Sequence, residues 1–164
     1  MDERLNLIYS RRSIRSYKPD PVAPELIEEL LRAAMAAPSA HNGQPWRFLV
    51  ITDAEKRRVL SETHPYAKFA KDTPVVIFVY GTPEGPLFEQ DLAAATQNLL
   101  VAAAGLGLGT CWCGVTDERR PALHSVSSIP EEYRIVSMVC VGHPAEEKEA
   151  RSQYDPAKVK YGEF

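Results

Sequence analysis

The sequence predicts an α+β domain with about four core strands, and three stretches carry that prediction. Pro74-Val75-Val76-Ile77-Phe78-Val79-Tyr80 is a near-continuous run of β-formers, as expected of a central strand buried on both faces. Leu26, Ile27, Leu30, Leu31, Ala34 and Met35 recur at helical spacing after Pro24, a residue that suits a first helical turn. Leu87 to Gly105 is an Ala-rich helix with apolar residues around much of its circumference. Asp91, Thr96, Gln97 and Asn98 are its interior polar residues, so it belongs in a core or an interface.

The remaining elements follow in chain order. Leu5, Leu7, Ile8 and Tyr9 predict a short amphipathic helix, and Lys18-Pro19-Asp20-Pro21 a turn or extended link. In the helix after Pro24, Glu25, Glu28 and Glu29 favour the positive N-terminal end, and Glu28 can pair with Arg32. Pro38 stops that helix, so Ser39 to Gln44 is a loop. Trp46 to Ile51 reads as a strand, and Asp53 as the cap of a short helix. His64 to Asp72 has no clear pattern. Gly105-Leu106-Gly107-Leu108-Gly109 ends the Ala-rich helix and feeds a strand from Thr110 to Val115. A dinucleotide fingerprint runs the other way, from strand into helix, so a Rossmann reading is rejected. Asp117 is expected to start another short helix. Arg134 to Val141 is the last strand, stopped by Gly142-His143-Pro144. The tail from Ala145 carries Tyr154, Val159, Tyr161 and Phe164, too apolar a set for a solvated end, and is expected to pack on a second subunit.

Composition narrows the function. The 164 residues suit a single domain, 1–164, without an interdomain linker. A net charge of -3 argues against a nucleic-acid or anionic-membrane partner. The apolar runs are too short to span a bilayer, and Met1 to Asn6 lack the apolar core of a signal peptide, so a cytoplasmic location is expected. Cys111, Cys113 and Cys140 are odd in number and suit small buried residues better than a disulfide framework. His41, His64, His124 and His143 have no metal-ligand spacing, and no nucleophile elbow is present.

Two polar stretches carry the chemistry. In an extended Arg11-Arg12-Ser13-Ile14-Arg15-Ser16-Tyr17, alternate residues Arg11, Ser13 and Arg15 share one face. Guanidiniums and a hydroxyl converging on one anion form a phosphate clamp, although the same residues suit a solvated basic patch. In Pro38-Ser39-Ala40-His41-Asn42-Gly43-Gln44-Pro45-Trp46, the Asn42 and Gln44 amides match the edge of a polar heterocycle, or satisfy their own backbone. A cofactor with a phosphate at one end and a hydrogen-bonding ring at the other needs both stretches, and FMN fits that description.

Taken in order, these stretches, the segment Asp91 to Gly114 with its Gly-Leu-Gly-Thr-Cys-Trp-Cys-Gly end, and Val141-Gly142-His143-Pro144 resemble the nitroreductase family over nearly the whole chain. The resemblance implies an α+β sandwich, a central mostly antiparallel sheet flanked by helices, in an intertwined homodimer with FMN at the interface. It implies that Arg11, Arg12, Ser13 and Arg15 bind the phosphate and ribityl chain from one subunit. Pro38, Ser39, Asn42 and Gln44 would come from the other. Backbone groups around Trp112, Cys113 and Gly114 would lie along the ring near N5. Arg151 is a candidate phosphate contact, and Lys68 a candidate charge near the ring. The implied reaction is ping-pong: NADH or NADPH gives hydride to the flavin and leaves, and a nitroaromatic, quinone or similar small acceptor then takes it. No side chain is nominated as acid or base. Specialised flavin chemistry (dehalogenation, enone reduction, flavin cleavage) and a non-enzymatic flavin-binding dimer are the alternatives. Larger relatives carry a lid where this chain has only Gly81 to Pro86, which implies a shallow, open site.

Overall fold

A computed structural model describes residues 2–162. Its centre is a four-stranded sheet in the order β1-β2-β4-β3. The strands are β1 (Arg47–Ile51), β2 (Val75–Gly81), β3 (Gly109–Gly114) and β4 (Arg134–Gly142). Every neighbouring pair is antiparallel. The helices are α1 (Asn6–Ser10), α2 (Pro24–Met35), α3 (Ala54–Thr63), α4 (Phe88–Gly105) and α5 (Arg120–Ser127).

The continuous apolar run of β2 is explained by a helical layer on each face of the sheet. Val75, Ile77 and Val79 pack with Leu30 and Ala34 of α2 and with Leu92 and Leu99 of α4. The intervening Val76 and Phe78 pack on the other face with Leu60 of α3 and Leu123 of α5. Each fully buried leucine in these layers contributes about 1.5–3 kcal/mol. Between Val79 and Tyr80 the pairing with β4 jumps from Ser137 to Ile135, a bulge that leaves Val136 unmatched.

Local chemistry sets the element ends. The Asp53 carboxylate accepts from the Lys56 N–H at 2.8 Å and starts α3. Gly107, at φ 72°, ends α4 in a left-handed turn, and the Leu108 N–H closes it on the Ala103 carbonyl at 2.8 Å. The polar interior of α4 is satisfied at Thr96, whose hydroxyl donates to the Leu92 carbonyl at 2.7 Å and lies 3.0 Å from that of Ser137. Since Thr96 has one hydroxyl proton, Ser137 is the donor between them.

The helix expected from Asp117 begins instead at Arg120. The Asp117 carboxylate is taken by Arg120 and by Arg134, 3.0 Å away, so it caps nothing. In the unpatterned segment a 3-10 turn spans Lys68–Asp72. Only Thr82 to Leu87 join β2 to α4, and they carry no helix. In the tail Tyr154 and Tyr161 are exposed, while Phe164 lies outside the described residues. Among the described residues no helix is long and apolar enough to cross a membrane.

Candidate functional site

The Arg11–Tyr17 stretch runs along the outer edge of β3. It touches the sheet through isolated bridges, Ser13 with Thr110 and Tyr17 with Pro144, rather than as a continuous strand. The Ile14 N–H donates to the Thr110 carbonyl at 2.8 Å. Burial of Ile14 and Tyr17 pins the backbone, with Arg15 exposed and Arg11 and Arg12 half-buried.

That contact fixes which way β3 faces. In an antiparallel strand alternate residues turn both backbone groups to the same side. Thr110 faces outward, so Trp112 and Gly114 do too, while Cys111 and Cys113 turn their backbone groups to β4. The Gly114 carbonyl lies 2.9 Å from His64 Nε2. The Trp112 N–H and C=O and the Gly114 N–H form an open edge beyond the reach of the Arg11–Tyr17 stretch. A Cβ at Gly114 would meet no atom within 4 Å, so the sheet face beside that edge is open.

Two hollows flank this edge. One, of about 330 Å³, is lined by Arg11, Arg12, Gly107 and Lys148 together with Glu146 and Glu147. The other, of about 280 Å³, is lined by Arg15, Trp112, Cys113 and Gly114. The arginines therefore do not share one face: Arg11 and Arg12 serve the first hollow and Arg15 the second. An irregular extended chain lacks the strict two-residue alternation of a paired strand. Arg12 also donates to the Glu149 carbonyl, and its Nε is buried without a hydrogen-bond partner. Among the described residues, neither Arg11 nor Arg15 has a carboxylate partner for its guanidinium.

The start of the tail completes this corner. Lys148 Nζ donates to the Ser13 carbonyl at 2.6 Å, and the Arg15 N–H donates to Glu146 at 2.5 Å. That amide, aided by Lys148, holds the Glu146 carboxyl below its ordinary pKa against the opposing effect of desolvation. Arg151 stays exposed, its N–H donating to the Tyr9 carbonyl at 3.1 Å. Lys68 is exposed at the start of its 3-10 turn.

The Pro38–Gln44 loop sits elsewhere. It leads into β1, the opposite edge of the sheet, so β2 and β4 separate it from the arginines' strand. Three strand spacings put the two edges about 14 Å apart. Asp91 in the first turn of α4 holds the loop, accepting from the Ala40 N–H at 3.0 Å. Ser39 Oγ accepts from the Gln44 N–H at 3.0 Å, and Gln44 Nε2 donates to Asn42 Oδ1 at 2.9 Å. His41, Asn42 and Gln44 all have positive φ, at 51°, 56° and 48°. Such backbone in non-glycine residues gathers at functional sites.

The model of the nitroreductase family matches residues 8–65 and 58–143. The chain belongs to the nitroreductase family. A protein of Archaeoglobus fulgidus, provisionally named NADH dehydrogenase/NAD(P)H nitroreductase, is 39% identical over 97% of each chain. A crystal structure from Parabacteroides distasonis with the same provisional name superposes at a TM-score of 0.95, with 31% identity over 100% of each chain. A provisionally named nitroreductase from Desulfovibrio desulfuricans, solved in complex with FMN, superposes at 0.88 with 29% identity, covering 100% of this chain and 99% of its own. Between β2 and α4 this chain carries only Thr82 to Leu87.

Residues outside the motifs also shape this nitroreductase site. His64, Asp91, Glu146 and Lys148 hold the β3 edge, the loop and the arginine stretch. Of these, Asp91 stood out in the sequence, as a polar residue inside the Ala-rich helix. The three cysteines are free and buried. Hydrogen bonding with Cys113, and then burial, push the Cys111 thiol well above its ordinary value. For Cys113 the bond with Cys111 acts downward, but Cys140 and burial outweigh it and push the thiol up to about 12. The native protein is therefore expected to resist a thiol reagent at pH 8, with Cys111, Cys113 and Cys140 all titrating after denaturation. Rapid modification of the folded chain would contradict this burial.

Proposed function

We propose that this nitroreductase is an FMN-dependent NAD(P)H oxidoreductase that works as a homodimer. The observation that carries the reading is the open outer edge of β3 at Trp112 and Gly114, with uncommitted guanidiniums beside it. Outward N–H and C=O groups match the acceptor and donor edge of a flavin ring. Arg11 and Arg12 match its phosphate, and the partnerless Arg12 Nε is a donor in want of an acceptor. When bound, FMN supplies the two-electron chemistry, between NADH or NADPH as donor and a nitroaromatic, quinone or similar small acceptor.

The residues divide the remaining work. Arg11, Arg12 and Ser13 hold the phosphate and ribityl chain, with Arg151 near them beside α1. Arg15, Trp112 and Gly114 orient the ring, and Cys113 keeps β3 in register with β4. Pro38, Ser39, Asn42 and Gln44 reach the same cofactor from the partner chain, because within one chain they lie on the far edge of the sheet. The tail from Ala145 packs on the partner, where Tyr154 and Tyr161 lose their exposure. The short Thr82–Leu87 connection leaves the site open and tolerant of acceptors.

The purified protein is expected to be yellow, and anaerobic NADH or NADPH to bleach it. A protein that takes up no FMN overturns the assignment; one that keeps a flavin neither nucleotide bleaches is a binding module. Arg11→Ala is expected to weaken FMN binding by about tenfold to a hundredfold, the range for losing one charge-assisted hydrogen bond. A fluorescence titration of released FMN measures it, and an unchanged Kd removes Arg11 from the clamp.

A further inference from the structure

We propose that His64 is a positioning residue that sets the reduction potential of the bound flavin, by holding the Gly114 carbonyl and leaving the Gly114 N–H alone to face the ring. The proposal rests on the flavin reading of the β3 edge and gives a role to a side chain which that reading does not use.

Gly114 is the residue of that edge least able to hold itself in place. It is the last residue of β3, and its backbone groups face away from β4, so the sheet ladder does not fix them. It has no side chain to pack, and a Cβ there would meet nothing within 4 Å. The fixed point comes from the end of α3. His64 Nε2 lies 2.9 Å from the Gly114 carbonyl oxygen. A carbonyl oxygen only accepts, so Nε2 carries the proton and donates it. The other tautomer sets two acceptors against each other. It also makes a stranded donor of Nδ1, which is buried without a partner among the described residues.

The donor is held before any ligand arrives. His64 closes α3, its N–H on the Leu60 carbonyl at 2.9 Å and its own carbonyl accepting from the Ala67 N–H at 3.0 Å. The residue is 1% exposed, and the Tyr66 ring packs edge-on against it, 6.4 Å between centroids. An anchored backbone and a buried ring together aim Nε2.

The consequence is electrostatic. Trp112 offers the ring both an N–H and a C=O, whereas Gly114 offers an N–H only, because its carbonyl is covered. Reduction adds electrons to the ring, so a donor beside it favours the reduced form and a bare carbonyl opposes it. Loss of the His64 donor therefore lowers the potential twice over: the N–H loses its aim, and the oxygen is left bare on the ring's side of the strand.

Two variants separate that bond from packing. His64→Phe keeps a planar ring and removes the donor. His64→Gln loses the ring and keeps a donor at the Nε2 position. Both are expected to lower the urea midpoint, so stability does not tell them apart, and the potential does. In the FMN-loaded protein His64→Phe is expected to shift the preference from reduced toward oxidised FMN by about tenfold, the range for one hydrogen bond. That is a fall of about 30 mV in a two-electron midpoint potential, read against reference dyes. His64→Gln is expected to keep the parent potential. In the isotopically labelled, flavin-free protein, NMR is expected to place the His64 ring proton on Nε2. A proton on Nδ1 overturns the proposal. So does an unshifted potential in His64→Phe, or an equal shift in both variants, which assigns the effect to packing. If His64→Phe does not fold, a displaced potential in His64→Gln overturns the proposal on its own. A protein that takes up no FMN is colourless, which shows that the flavin reading itself has failed and takes the proposal with it.

Discussion

Gly81→Ala is expected to cost about 3 kcal/mol of stability, from overpacking against an unyielding neighbour. A Cβ on Gly81 would lie 2.1 Å from the Pro45 carbonyl oxygen and 3.1 Å from its carbon. Those are main-chain atoms, so no rotamer change relieves the overlap. Gly81 is also the last residue of β2, paired with Arg134 of β4, and cannot retreat without breaking that pairing. The chain that must move is Pro45, which joins the Pro38–Gln44 loop to β1. The substitution therefore has two linked readouts. The urea midpoint should fall, and the Ala40 N–H, bonded to Asp91, should exchange faster as the loop loosens. A midpoint within experimental error of the parent would show that the loop can shift freely, contrary to this packing.

Phe78→Ala is expected to cost about 4 kcal/mol, at the upper end for a large-to-small change in a core. Phe78 is 0% exposed, and its neighbours across the sheet are Leu49 of β1 and Met138 of β4. Its ring belongs to the layer that also holds Leu60, Leu123 and Cys113. Helices from two parts of the chain press on this layer, so the cavity cannot collapse by moving one element. Phe78→Leu, which keeps much of the volume, should lose less than half as much. Urea unfolding of the pair measures both, and equal losses would mean that the ring's shape rather than its volume decides.

How much of this was legible in the sequence depends on how local each signal was. β2 announced itself because a strand covered on both faces needs no polar residue. Asp53 announced α3 because its carboxylate bonds three residues ahead. The Gly-rich turn was readable as a helix end because its order, helix then strand, excludes the phosphate-binding alternative. Asp117 misled for a physical reason: its carboxylate is held by the side chains of Arg120 and of Arg134, seventeen positions away, and caps no backbone N–H of the helix beside it. The Lys68–Asp72 turn was illegible because Ala67 and Ala70 are shaped by the helix above them, and alanine carries no pattern of its own. The arginines and the amide loop were visible as polar clusters. That they lie on opposite sheet edges was not, since strand order is set by pairings between distant segments. His64 gave no signal at all, because its partner is a carbonyl fifty positions on.

The left-handed residues of the Pro38–Gln44 loop have a thermodynamic meaning. Each non-glycine residue held there costs on the order of 1 kcal/mol or more, and folding has already met that cost through Asp91, Ser39 and the wedge of Pro45 against Gly81. The loop is a preorganised template. A ligand that meets it has little backbone left to order, so its intrinsic contacts pass into affinity with a small entropic deduction.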